Sequence, residues 1–125
     1  MVKKMLVASA AALALMTTGN PALAHHSANA EFDTQKEFTI TGSLTKLENV
    51  NPHSWWYVDV KGADGKVTTW EIEMMSLNHL KSYGWTRKTV QEGDVITCTG
   101  GAAKSGAPAM LSSLIKLADG RMIKS

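Results

Sequence analysis

At 125 residues, the chain has room for one domain. Its 13 Lys and Arg against 11 Asp and Glu give a net charge of +2, and two of the lysines, Lys3 and Lys4, sit at the extreme N-terminus. The remainder is formally neutral and carries no cluster of basic residues to neutralise phosphates, which excludes nucleic acid as the expected partner. A single cysteine, Cys98, excludes an internal disulfide, so the domain must be held by its hydrophobic core, for which this length suffices.

In chain order, residues 1–24 read as a signal peptide. Lys3 and Lys4 form a positive start, Met5 to Met16 is uncharged and mostly apolar, and Ala22-Leu23-Ala24 offers small residues for cleavage. The apolar run is shorter than the roughly 20 residues that a membrane span needs, so export to the periplasm is expected, with a mature chain beginning at His25. No second run is long and apolar enough to span a membrane.

Residues 25–37 are polar and irregular and are expected to form an N-terminal arm, followed by a domain over 38–125. From Phe38 the alternation Phe38, Ile40, Gly42, Leu44 predicts a strand; Leu47 and Val50 break the phase, as a bulge or strong bend would. Asn51-Pro52 turns the chain into the most strand-like run, His53 to Lys61. There Trp56, Val58 and Val60 share the face opposite Trp55, Tyr57 and Asp59. Asp64-Gly65 marks a hairpin. The returning strand, Val67 to Met75, sets Trp70, Ile72 and Met74 against Thr69, Glu71 and Glu73, the latter face being expected in solvent.

Ser76 suits the N-cap of a short helix, Leu77 to Tyr83, and Gly84 the position beyond its end. Trp85 and Val90 are expected to tuck beneath it. Glu92-Gly93-Asp94 predicts a turn, Val95 to Gly100 a fourth strand, Gly101 to Pro108 a mobile small-residue loop, and Met110 to Leu117 a fifth strand with a tail that pairs back on it. The reading is mainly β: a five-stranded OB-like β-barrel with one short helix between strands three and four. The alternative is a plain five-stranded meander with a surface helix.

The motifs along the chain are His25-His26-Ser27, Glu31-Phe32-Asp33, Gly42 followed by Leu44-Thr45-Lys46, Asn51-Pro52-His53, Tyr57-Val58-Asp59-Val60, Trp70 with Glu73-Met74, Gly84-Trp85-Thr86-Arg87, Gly93-Asp94 and Asp119-Gly120-Arg121. In these residues the chain resembles a family of small exported bacterial proteins classed as a domain of unknown function. The resemblance implies that His25, His26 and His53 belong to one pattern, and it implies no activity.

Cleavage after Ala24 would free an α-amine on His25, with a pKa of roughly 7.7–8.0 before any metal binds. That amine and the ring Nδ1 would chelate a metal together, with His26 or His53 as third nitrogen, a nitrogen-rich set suited to Cu(II). The arrangement resembles the histidine brace of some exported copper proteins; its bland counterpart is a polar arm without a ligand. His53, Trp55, Trp56, Trp70, Met74 and Met75 also resemble the soft His, Met and Trp set of OB-type periplasmic copper chaperones. However, the close Trp-x-x-Met-x-Met spacing of those proteins is absent, and Trp56, Trp70 and Met74 read as core. His53 would equally serve to fix the turn, and His79 reads as an exposed helix residue.

Cys98, between threonines, reads as a buried small hydrophobe. No Gly-x-Ser-x-Gly context surrounds Ser27, Ser54 or Ser76, no phosphate-cradling loop precedes a helix, and Glu71 with Glu73 forms no evident acid–base pair. A non-enzymatic binding protein is therefore expected. Copper through His25, His26 and His53 is the leading ligand. The rivals are a small organic ligand, glycan or envelope protein met by exposed Trp55 and Tyr57, and a purely structural envelope role.

Overall fold

The computed structural model describes residues 28–125; the expected leader, His25 and His26 lie outside the described residues. The described chain is mainly β, with strands β1 (Phe32–Glu48), β2 (Ser54–Lys61), β3 (Val67–Met74), β4 (Val95–Ala103), β5 (Ala109–Lys116) and β6 (Met122–Lys124). A six-residue helix, α1 (Leu77–Ser82), lies between β3 and β4, and a helical turn over residues 28–31 precedes β1. The strands pair in the order β3-β2-β1-β4-β5-β6, antiparallel throughout, and a parallel pairing of β3 with β5 closes five of them into a ring. The predicted tail is β6, a sixth strand on β5.

β1 closes the ring because it serves two partners. Residues Phe32 to Ser43 pair with β4, residues Ser43 to Glu48 pair with β2, and the register shifts between Leu44 and Lys46. The broken alternation in the sequence marks this irregularity. β1 also begins at Phe32, so the second half of the stretch expected as an irregular arm is strand. Phe32 itself is buried, which anchors the chain six residues before the first strand residue that alternation predicts.

Side chains inside the ring form one core. Leu44, Trp56, Val58, Ile72, Met74, Ile96, Cys98, Met110 and Ile115 are all essentially inaccessible, and each comes from the apolar face of its strand. Trp70 is half-buried against Phe38, with ring centroids 5.4 Å apart. The hairpin between β2 and β3 keeps a continuous register from Lys61↔Val67 to Ser54↔Met74, and Gly62 N–H donates to the Lys66 carbonyl at 2.8 Å across its loop.

α1 is capped as its sequence predicts. The Ser76 hydroxyl accepts the His79 N–H at 3.2 Å. At the other end Gly84, at φ +98°, lets Gly84 N–H reach the Lys81 carbonyl and Trp85 N–H the Leu80 carbonyl, at 3.1 and 3.0 Å. These are the two bonds of a Schellman motif. The reversal delivers Trp85 into the core edge-on to Trp56, at 5.0 Å between centroids and 84° between planes.

The loop expected from Gly101 is partly strand, since β4 continues to Ala103. Its small residues are a packing requirement. A Cβ on Gly100 would overlap the Leu111 carbonyl of β5, and one on Gly101 the Asp33 carbonyl of β1. Among the described residues no helix is long and apolar enough to cross a membrane.

Candidate functional site

The turn before β2 is stitched to the start of α1. The Val50 carbonyl accepts the Leu77 N–H at 3.1 Å and the Ser54 hydroxyl at 3.2 Å. The Asn51 side-chain oxygen accepts the Asn78 N–H at 3.3 Å, and Ser54 N–H donates to the Met75 carbonyl at 3.0 Å. The Asn51–Pro52 peptide bond is cis. His53 leaves this braced turn with its side chain 51% exposed.

One imidazole nitrogen is engaged. His53 Nδ1 lies 2.5 Å from Glu73 Oε1, and the Glu73 side chain is only 11% exposed. An ionised carboxylate only accepts, so Nδ1 carries the proton, and in the neutral ring the lone pair is left on Nε2. The pairing corrects the expectation that Glu73 sits on a solvated strand face. Glu71 is exposed as expected, whereas Glu73 is buried between Trp55 of β2, directly opposite, and Leu111 of β5. Ring closure by β5 removes that position from water. The signal for the contact was present in the sequence: the register set by the Asp64-Gly65 hairpin puts Ser54 opposite Met74, which leaves His53 diagonal to Glu73.

The His53–Glu73 hydrogen bond separates two concave surfaces. On one side, Trp55, Glu71 and Glu73 join Ala30, Glu31, Phe32 and the segment from Ala103 to Ala109 around an open cleft of about 460 Å³. On the other, His53, Met75, Ser76 and His79 line an open hollow of about 640 Å³. His79 is exposed as expected, with Nδ1 3.3 Å from the Ser76 hydroxyl. Trp55 and Tyr57, expected to be exposed, are half-buried. Lys46 Nζ stands 5.2 Å from the centre of the Tyr57 ring, in cation–π range.

Thus His53, Glu73 and Trp55 come together, with His79 and Met75 beside His53. His25 and His26 fall outside the described residues. Among the described residues no group of three or more His, Cys, Asp or Glu side chains is placed to hold a metal. Cys98 is fully buried, and burial pushes its thiol up to about 12, which makes it a core residue and not a nucleophile at neutral pH.

A family model described as a family of unknown function (DUF6152) matches residues 12–112 of this chain. No curated protein and no solved structure matches it.

Proposed function

The chain belongs to that family of unknown function, and we propose that it is an exported, OB-like binding domain that takes copper through His25, His26 and His53. The observation that carries the metal reading is the Glu73 carboxylate on His53 Nδ1. Metal-binding imidazoles are oriented in this way, with the far nitrogen presented to the ion and the carboxylate raising its basicity. The OB-like reading is supported by the strand ring 1-2-3-5-4, its parallel β3–β5 step and a helix between β3 and β4. Export to the periplasm is supported by the lysine pair, the apolar run and Ala22-Leu23-Ala24.

The remaining ligands would come from the chain just ahead of β1. Ala30, Glu31 and Phe32 line the cleft that Glu73 and Trp55 wall. A His25 amine and ring nitrogen that reach the His53 ring would complete a nitrogen set around a Cu(II) ion held on its Nε2.

The test is a Cu(II) titration of processed protein whose N-terminal His25 has been verified by mass spectrometry. Nitrogen hyperfine coupling in the electron paramagnetic resonance spectrum would report the ligand set. His25→Ala and His53→Ala should each weaken binding and remove a nitrogen. Submicromolar binding left unchanged by both would sink the histidine site. If His79→Ala weakens binding instead, the metal lies in the hollow shared by His53, Met75 and His79, a softer set that favours Cu(I).

A second reading rests on Trp55, which forms a wall of the cleft beside Glu71 and Glu73. In it the Trp55 and Tyr57 surface takes a small organic ligand, a glycan or an envelope protein without a metal. Indifference to copper, together with a Trp55-dependent fluorescence change on adding an oligosaccharide or peptide, would favour it.

A further inference from the structure

α1 and the segment after it cross the end of the ring. A hollow of about 290 Å³ opens there, just under the range of about 300–1,000 Å³ typical of small-molecule sites. Its inner wall is apolar, made by Trp56, Trp85, Leu80 and Val90, all buried, with Leu47 and Leu77 half-buried nearer the mouth. The two indoles meet edge to face and are only 1% and 5% exposed, so they close the floor, while Leu47 and Leu77 supply the apolar surface that a ligand would meet.

The mouth has one sign of charge. Lys81 and Arg87 line it, both are exposed, and no acidic side chain lines the hollow. Among the described residues neither cation takes part in an ion pair. Asn49 adds a directed donor. Its side-chain oxygen is occupied by the Trp56 indole N–H at 2.7 Å, so its NH₂ group is the part left to donate.

An apolar floor, a free amide donor and two unpaired cations at one opening describe a particular kind of ligand. We infer that this hollow binds a small apolar carboxylate, with its hydrocarbon part over Leu47 and Leu77, above the floor closed by Trp56 and Trp85, and the carboxylate between Arg87, Lys81 and the Asn49 amide. Guanidinium and carboxylate match in geometry as well as charge. The site is separate from His53 and Glu73 and does not depend on the copper reading.

Phenylacetate and its neutral counterpart phenylacetamide provide the test, added to the processed full-length protein while the four tryptophan indole N–H signals are followed by ¹⁵N NMR. Phenylacetate should shift the Trp56 and Trp85 signals saturably and leave Trp55 and Trp70 in place. Phenylacetamide should bind about tenfold more weakly or worse. The double variant Lys81→Ala/Arg87→Ala alters only exposed side chains, so its fold should persist; it should weaken phenylacetate by about tenfold and leave phenylacetamide unchanged. Leu77→Trp, which fills the mouth, should remove the response to both. Absence of a saturable shift at millimolar phenylacetate would overturn the inference, and so would a response centred on Trp55 or Trp70. Equal binding of phenylacetate by the wild type and the double variant would also overturn it.

Discussion

At His53 the ring is oriented by a hydrogen bond from Nδ1 to Glu73, a residue twenty positions away whose carboxylate is mostly shielded from water. Replacing it tests whether orientation matters or only the presence of an imidazole. Glu73→Gln keeps the side chain's shape but removes the charge that fixes the proton on Nδ1. Copper affinity of the processed protein should fall by about 10- to 100-fold, measured by competition with a chromophoric chelator. Unchanged affinity in a folded Glu73→Gln protein would remove Glu73 from the site.

Cys98 makes a second prediction at the same scale. Its thiol is raised by burial from the ordinary value near 9 to about 12. The unfolded chain therefore loses this proton first as pH rises, and stability falls between about pH 9 and 12, having been fully present below that window. The slope from this group is at most about 1.4 kcal/mol per pH unit. Urea midpoints on either side of pH 9 should drop less steeply for Cys98→Ala than for the wild type, although the variant starts lower for lack of the buried sulfur. A maleimide should label Cys98 only after denaturation.

At the scale of elements, the helix has too few residues to persist by propensity alone, and it is held at both ends by caps that its sequence announces. Ser76→Ala should destabilise the protein by about 1 kcal/mol, seen as a lower urea midpoint with unchanged slope. The N-terminus of this helix also braces the His53 turn through Leu77 and Asn78, so the same variant should broaden the His53 ring signals in NMR. A sharp His53 signal in Ser76→Ala would show that the turn is fixed without the helix. The hairpin, the N-cap and the Gly84 reversal were legible because each depends on residues adjacent in sequence. The extension of β4 from Gly101 to Ala103 was not. Gly101 looks like the start of a flexible connection until β1 is seen pressing against it.

For the whole molecule, the decisive contact is the parallel pairing of β3 with β5, which turns an open sheet into a ring. Met110 lies in that seam, paired with Ile72 and fully buried. Met110→Ala should cost about 2–5 kcal/mol, against far less for exposed Met122→Ala. Calorimetry or chemical denaturation of the two variants would measure the contrast. Similar small losses in both would mean that the seam is not where the core's stability is concentrated. The short C-terminal strand is also tied in: Trp85 donates its indole N–H to the Lys124 carbonyl at 3.1 Å, and the Ser125 hydroxyl lies 2.6 Å from that of Ser112 in a buried position.

The sequence by itself determined the mainly β character, the hairpin with Trp56 and Val58 inward, the capped helix, and the burial of Cys98. Each follows from alternation, turn chemistry or capping, which are read over a few neighbouring residues. Only the tertiary structure decided that β1 starts at Phe32, that the sheet closes through β5, and that Glu73 is withdrawn from water to hold His53. These depend on segments far apart in the chain approaching one another, and a solvent-facing Glu and a buried one have the same place in a strand's alternation.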